Sequence, residues 1–123
     1  MATKVMVVDD SMVIRAQATA ALGHAGFEVI QACDGQDALE RLVETPDLAL
    51  IVCDVNMPRV NGIQFLEAMA KGERRVPTVM LTTEGKQALI TRAKELGAKG
   101  WIIKPFKEAM LVAAVRKLTA AAA

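Results

Sequence analysis

The stretch from Leu48 to Asp54 constrains the fold most, because six apolar residues lead directly into one carboxylate. A short apolar run of this kind is typical of a strand that is buried on both faces of a parallel sheet. Asp54 then lies at the carboxyl end of the strand, the edge of an open α/β sheet where ligands and chemistry gather. Pro58 and the Asn61–Gly62 pair predict a loop immediately after it.

The rest of the chain divides into alternating strands and helices. Apolar runs predict further strands at 4–8, 27–32, 78–82 and 100–104. Between and after them, helix-spaced apolar residues predict five inward-facing stripes: Ile14, Ala18, Ala21, Leu22 and Ala25; Ala38, Leu39, Leu42 and Val43; Phe65, Leu66, Met69 and Ala70; Leu89, Ala93 and Leu96; and Met110, Leu111, Ala114, Val115 and Leu118. Strict alternation implies parallel strands joined by right-handed crossovers. We therefore predict an α/β fold in which residues 1–123 form one domain, a doubly wound five-stranded parallel sheet. Its strand order, 2-1-3-4-5, is taken from flavodoxin-like proteins, where it is well known.

Composition and the lengths of the apolar runs say more about the cellular compartment of the protein than about its function. The 123 residues are 53% hydrophobic, enough for one buried core, and 24% charged. The apolar runs are too short to span a bilayer and the N-terminus lacks a secretory signal, so we expect a cytoplasmic protein. Cys33 and Cys53 follow strands that flank strand 1 in this order. That places them about 10 Å apart, too far for a disulfide, and predicts two reduced core thiols.

Polar side chains occur where four of the predicted strands end. Asp9 and Asp10 follow the first strand, Asp54 the third, Thr82 ends the fourth and Lys104 ends the fifth. Because parallel strands end at one edge of a sheet, these groups should lie together. Three carboxylates in one place repel one another, and a hard divalent cation such as Mg²⁺ removes that conflict. The cluster predicts a site that binds Mg²⁺ and receives a phosphoryl group on a carboxylate.

Four short motifs together resemble the receiver domain of two-component response regulators. They are the segments 7–11, 53–58, 81–83 and 104–106, which read VVDDS, CDVNMP, LTT and KPF. They occur in the family's order and span the whole chain. The stand-alone, CheY-like chemotaxis receivers are the most similar group, because no output domain follows. The resemblance implies a signalling protein that catalyses only its own phosphorylation and dephosphorylation.

The resemblance also implies roles for the residues of the predicted site. Asp54 would accept a phosphoryl group from a histidine kinase. Asp9 and Asp10 would hold Mg²⁺ together with Asp54, Asp10 more directly, and Asn56 would add its backbone carbonyl. Thr82 would form a hydrogen bond to a phosphoryl oxygen.

Further roles follow from the same resemblance. Lys104 would pair with another phosphoryl oxygen, and its peptide bond to Pro105 is expected to be cis. Asn56 and Glu84 are expected to modulate the site. Trp101 stands where many receivers have a Tyr or Phe that moves as a switch. Its indole ring is larger and carries an N–H that needs a partner, so static packing is the alternative role.

One helix face is a candidate partner surface. The fourth helix should present Ile90 beside Lys86 and Lys94, with Lys99 near them. An apolar anchor in a basic rim suits an acidic amphipathic peptide. By resemblance, the partner is the flagellar motor switch protein. Residues 84–123 carry 8 basic and 3 acidic side chains, against 7 and 11 in the rest. The formal net charge of +1 favours no nucleic-acid partner, and we expect no membrane partner and a monomer.

Other classes of protein remain as alternatives. A haloacid-dehalogenase-type phosphatase also phosphorylates an Asp at a strand end, but it needs a second Asp two residues later, where this chain has Asn56. A Rossmann nucleotide-binding protein needs a Gly-rich turn after the first strand, where this chain has Asp9 and Asp10. A pseudo-receiver is disfavoured because the expected site residues are present. A receiver cut from a longer, DNA-binding regulator is the main alternative.

Overall fold

The computed structural model describes residues 2–72, 74–83 and 85–121, in which five strands alternate with five helices. Their bounds are β1 Lys4–Val8, α1 Met12–His24, β2 Glu28–Ala32, α2 Gly35–Glu44, β3 Leu48–Cys53, α3 Gly62–Lys71, β4 Thr78–Thr82, α4 Gln87–Glu95, β5 Ala98–Ile103 and α5 Glu108–Ala121. The strands form one parallel sheet in the order β2-β1-β3-β4-β5. The predicted fold class and strand order are therefore confirmed. Within the described ranges, no helix is long and apolar enough to cross a membrane.

Hydrophobic cores lie on both faces of the sheet, because successive strand residues point to opposite sides. On one face, Met6, Val8 and Ile51 pack with residues of α2, α3 and α4. On the other, Val7 and Leu50 pack with residues of α1 and α5. The three interior strands are buried almost completely, and two of them, β1 and β3, form the floor of the site.

Side-chain caps begin α1 and α3 directly after the loops that leave the sheet. The Oγ of Ser11 accepts a hydrogen bond from the backbone N–H of Ile14 at 3.3 Å. Asn61 and Gln64 form a capping box at 2.8 and 2.9 Å. Such caps satisfy backbone donors that a helix leaves unpaired at its first turn. They also set where α1 and α3 begin, close to the carboxyl ends of β1 and β3.

Three residues predicted to be buried are exposed. Val43 is 81% exposed, because α2 turns Ala38 and Leu42 inward and places Val43 about 100° around the helix from Leu42. Met110 is 58% exposed for the same reason, since α5 buries Leu111 instead. Cys33 lies in the turn after β2, beyond the sheet, so it is not a core thiol, although both cysteines are free as predicted.

Candidate functional site

Three carboxylates meet at the carboxyl ends of β1 and β3. These strands are neighbours, and the backbone N–H of Asp54 donates to the carbonyl of Val8 at 2.9 Å. Asp9, Asp10 and Asp54 each offer one oxygen, and these oxygens lie within 4.8 Å of one another. Asp9 and Asp54 are buried and Asp10 is exposed, so the cluster opens to solvent on one side. An all-oxygen donor set of this kind fits a hard divalent cation.

Lys104 bridges the two buried carboxylates. Its Nζ lies 2.6 Å from Asp9 Oδ2 and 3.3 Å from Asp54 Oδ2. Its backbone N–H donates to the carbonyl of Thr82 at 2.8 Å, so the end of β4 holds the lysine in place. The Lys104–Pro105 peptide bond is cis, as expected. The ammonium group of Lys104 is therefore held between the buried carboxylates of Asp9 and Asp54.

Burial sets the electrostatics of this edge. It raises the pKa of Asp9 above its usual value, and the nearby charge of Asp54 acts in the same direction. The hydrogen bonds from Lys104 and from the backbone N–H of Ser11 partly oppose that rise in pKa. Burial also raises the pKa of Cys53, so this thiol stays protonated, and its Sγ donates to the Asp54 carbonyl at 3.2 Å. The hydrogen bonds therefore offset only part of the cost of ionising Asp9, and a bound cation would offset the rest.

Close packing places the loop after β3 against the site. A Cβ atom on Gly62 would overlap the backbone carbonyl oxygen of Asp54 and lie 3.0 Å from Met80 Cε. The N–H of Gly62 donates to the carbonyl of Val55 at 2.9 Å, and the N–H of Val55 donates to Asp54 Oδ1 at 2.8 Å. Gly62 therefore lets the first turn of α3 lie directly beside the acidic strand end.

The other residues predicted for the site lie around this centre. Thr82 is buried at the end of β4, next to β3, and Asn56 is exposed in the loop after Asp54. Trp101 is half-buried on β5 and packs against the core on the α3–α4 side. Glu84 lies outside the described residues.

The residues of the candidate partner surface lie on α4 and β5, away from the acidic cluster. Ile90 is half-buried, whereas Lys86, Lys94 and Lys99 are exposed. Ala93 is fully buried on the neighbouring, inward side of α4, about 60° around the helix from Ile90. Of the predicted inward residues of α4, Ala93 is buried and Leu89 and Leu96 are half-buried, and the partner surface itself stays a prediction.

Two arginines near the site were not identified from the sequence. Arg15 on α1 donates from Nη1 to the carbonyl of Asp9 at 2.6 Å and from Nε to Gln31 Oε1 at 3.2 Å. Arg59, in the loop after Asp54, donates to both carboxylate oxygens of Asp34 at 2.7 and 3.0 Å. Neither arginine falls in a motif; Asp9 is six residues from Arg15, whereas Gln31 and Asp34 lie 16 and 25 residues from the arginines that they contact. A search for basic residues two to six positions after the strand-end acids would have found both.

Comparison with known proteins identifies the class to which this fold and site belong. A family model described as the response regulator receiver domain matches residues 5–116. The chain belongs to this family of signalling domains.

Particular relatives extend that finding. The chemotaxis protein CheY of Treponema pallidum is 36% identical over 104 residues, covering 83% of this chain and 72% of that protein. The transcriptional regulatory protein CpxR of Escherichia coli K12 is 37% identical over 94% of this chain but only 48% of its own length.

Solved structures show the same architecture. Chemotaxis protein CheY4 of Vibrio cholerae has a TM-score of 0.87 at 36% identity, covering 96% of this chain and 99% of that chain. A CheY from Borrelia burgdorferi, in a complex with CheX, BeF3 and Mg²⁺, has a TM-score of 0.88 at 28% identity, covering 94% and 87%.

Proposed function

We propose that residues 1–123 form one receiver domain that works as a CheY-like phosphorylation switch. Asp54 takes a phosphoryl group from a histidine kinase in the presence of Mg²⁺ and the domain then changes its affinity for a partner. The observation that carries this proposal is the acidic cluster itself: two buried carboxylates and a third exposed one, with Lys104 bridging the buried pair. The similarity to CheY proteins supports the same assignment.

Asp9, Asp10 and Asp54 would hold the cation with their carboxylates, and Asn56 with its backbone carbonyl. Asp10 is exposed and Asp9 is fixed by Lys104, so Asp10 is the ligand with the freer side chain. Mg²⁺ would supply charge neutralisation at the carboxylates and at the incoming phosphoryl oxygens. That the Borrelia burgdorferi CheY structure contains Mg²⁺ supports this choice of ion.

The phosphoryl step is a displacement at phosphorus. A carboxylate oxygen of Asp54 forms a bond to phosphorus, the P–N bond of the donor phosphohistidine breaks, and its electron pair returns to the imidazole nitrogen. Lys104 Nζ and the Thr82 hydroxyl would pair with phosphoryl oxygens. In the second half of the cycle, water attacks the phosphorus, the P–O bond to Asp54 breaks with its electron pair returning to the carboxylate, and inorganic phosphate leaves. Asn56 and Glu84 would modulate the rates of these steps, and no other reaction is catalysed.

The output surface consists of Ile90 with Lys86, Lys94 and Lys99, and Trp101 couples it to the site. Its exposed lysines around a half-buried Ile90 suit an acidic amphipathic peptide, such as one from the flagellar motor switch. The domain would act in chemotaxis as a cytoplasmic monomer, with no nucleic-acid or membrane partner.

A second candidate function is that of a receiver in a longer DNA-binding regulator. The observation that favours it is the 37% identity to CpxR, of which this chain spans 48%. Sequencing the gene beyond the codon for Ala123 separates the two candidates. A phosphatase of the haloacid-dehalogenase type is disfavoured, because Asn56 cannot serve as a general acid.

Phosphorylation assays with matched variants test the proposal. The wild type should gain label from a phosphorylated kinase with Mg²⁺, whereas Asp54→Asn should gain none because the nucleophile is absent. Asp10→Ala should raise the Mg²⁺ dissociation constant at least tenfold, because losing a ligand should weaken binding no less than losing an outer contact to one, which costs about tenfold to a hundredfold. Ile90→Asp is the matched control, which should be phosphorylated like the wild type but lose binding to an acidic partner peptide.

Stable label on Asp54→Asn at the wild-type level would contradict the assignment of the phospho-acceptor. If Ile90→Asp lost phosphorylation and partner binding equally, the output surface would be assigned wrongly. Hydrolysis of small phosphate esters by the wild type would favour the phosphatase.

A further inference from the structure

The loop between Asp54 and α3 is tied to a neighbouring helix by an ion pair outside the acidic cluster. Arg59 donates from Nε to Asp34 Oδ2 at 2.7 Å and from Nη2 to Asp34 Oδ1 at 3.0 Å. This is a two-bond, fork-shaped contact, which fixes direction as well as distance. Arg59 thus joins the loop that follows the phospho-acceptor to the start of α2.

Asp34 is a firm anchor for this contact. It is only 4% exposed, and its Oδ1 also accepts the backbone N–H of Asp37 at 2.9 Å, which caps α2. The guanidinium of Arg59 holds the pKa of Asp34 below its usual value, so the carboxylate stays ionised. Next to it, the N–H of Gly35 donates to the carbonyl of Val60 at 2.8 Å. The start of α2 therefore contacts two successive residues of the loop.

The backbone of Arg59 shows that the loop adopts a specific path there. Its φ is 62°, a left-handed conformation that residues other than glycine rarely adopt. A Cβ on Gly35 would overlap the Val60 carbonyl, so the loop and α2 are in close contact. An unfavourable conformation persists only where surrounding contacts enforce it. The bonds to Asp34 and Gly35 are such contacts.

From this geometry we infer that Arg59 is a positioning residue for the cation site. It holds the loop that carries Asn56, three residues before it, whose backbone carbonyl is a proposed ligand of the cation. The inference rests on the proposed function, because it assumes that Asn56 is a ligand. Contacts of this outer kind commonly change metal affinity about tenfold to a hundredfold when they are lost.

Mg²⁺ titration of two charge-opposed variants, Arg59→Ala and Asp34→Asn, tests the inference. A positioning role predicts that both raise the Mg²⁺ dissociation constant, Arg59→Ala about tenfold and Asp34→Asn by less, because the amide oxygen of Asn can still accept one of the two bonds. Long-range electrostatics alone predicts opposite shifts, since loss of a positive charge strengthens cation binding and loss of a negative charge weakens it. The double variant should bind Mg²⁺ no more weakly than Arg59→Ala alone, because the two residues act as one unit.

Three further variants control for folding and charge. Arg59→Gly removes the side chain but suits the left-handed backbone, so it should keep thermal stability and still lose Mg²⁺ affinity. Arg59→Lys keeps the charge without the fork, and should recover only part of the affinity. Lys4→Ala breaks the distant Lys4–Asp47 ion pair of 2.9 Å and should leave Mg²⁺ affinity within about twofold of the wild type.

Amide hydrogen exchange without metal gives a second, independent readout. The backbone amides of residues 55–57 and 59–61 should exchange faster in Arg59→Ala and Arg59→Gly than in the wild type, and at the wild-type rate in Lys4→Ala. Unchanged Mg²⁺ affinity in Arg59→Ala, or opposite shifts in the two charge-opposed variants, would overturn the positioning role while the proposed function stands. Absence of Mg²⁺ binding by the wild type would overturn the proposed metal site and this role with it.

Discussion

Asp9 combines deep burial with a negative charge, and Lys104 offsets only part of the cost. Burial raises the pKa of Asp9, and the bond from Lys104 at 2.6 Å opposes the shift without cancelling it. A cation at the cluster would relieve the remaining repulsion between Asp9 and Asp54. Repulsion between these carboxylates therefore lowers the free energy of unfolding of the metal-free protein. The repulsion persists because function requires the acidic groups to lie together.

Asp9→Asn should therefore stabilise the metal-free protein, by about 1 kcal/mol at pH 7. The raised pKa means that folded Asp9 holds its proton more tightly than the unfolded chain does. The wild type consequently loses stability as pH rises from the unfolded value through the folded pKa, and pays no such penalty below about pH 4. The gain from Asp9→Asn should shrink as pH falls toward 4. Urea unfolding at both pH values measures it, and an equal gain at each would contradict the burial argument.

At the scale of elements, the start of α3 decides how the acidic strand end is enclosed. Asn61 caps this helix, and Gly62 allows it to approach the Asp54 carbonyl within contact distance. The capping box is a local signal, whereas the need for glycine arises from a contact with another element. Gly62 therefore matters for reasons that differ from those of the glycines that end helices.

Gly62→Ala should lower the free energy of unfolding by about 3 kcal/mol, the upper part of the range for overpacking. The added methyl group meets backbone atoms, which cannot move aside as a flexible side chain can. Gly23→Ala in α1 is the matched control, since a Cβ there contacts nothing within 4 Å, and it should stabilise by up to about 1 kcal/mol. Chemical denaturation measures both. Equal effects of the two substitutions would mean that α3 can shift to accommodate the methyl group.

At the scale of the whole molecule, the sheet links the site to the face formed by α4 and β5. The carbonyl of Thr82 accepts the Lys104 N–H, and Thr82 pairs with Ile103 across the two strands. Trp101 lies two residues earlier on β5 and contacts the core beneath α4, whereas Ile102 packs on the opposite face. Movement of Thr82 toward a phosphoryl group would therefore act directly on the strand that carries Trp101.

Trp101 emission should change when Mg²⁺ and beryllofluoride, a phosphoryl mimic, are added together. The change should vanish in Asp54→Asn and shrink in Thr82→Ala, because the hydroxyl no longer draws β4 toward the site. A full reversal of populations from 1:99 to 99:1 needs about 5.5 kcal/mol of differential binding. An unchanged spectrum, with binding of the mimic shown separately by calorimetry, would mean that Trp101 is static packing.

Local sequence determined the order and type of the elements. Alternating apolar runs, helix-spaced stripes and glycine stops depend on residues close together in the chain, so β1 to β5 and their helices could be predicted. Strand ends carry their polar residues with them, which is why the grouping of Asp9, Asp54 and Lys104 was predictable once the strands were taken as parallel. The strand order itself was carried over from known doubly wound folds and did not follow from residue spacing.

Only the tertiary structure decided which groups touch. The bond of Lys104 to Asp9 joins residues 95 positions apart, and the Arg59–Asp34 contact joins residues 25 apart. Neither distance nor burial is encoded by local spacing. The exposure of Val43 and Met110 likewise depends on how each helix packs on the sheet, because the buried stripe of each helix is narrower than its apolar stripe. Periodicity determines which residues share a face of an element. Packing against the rest of the molecule determines which face is buried, because burial depends on two surfaces in contact and the sequence pattern of one element describes only one of them.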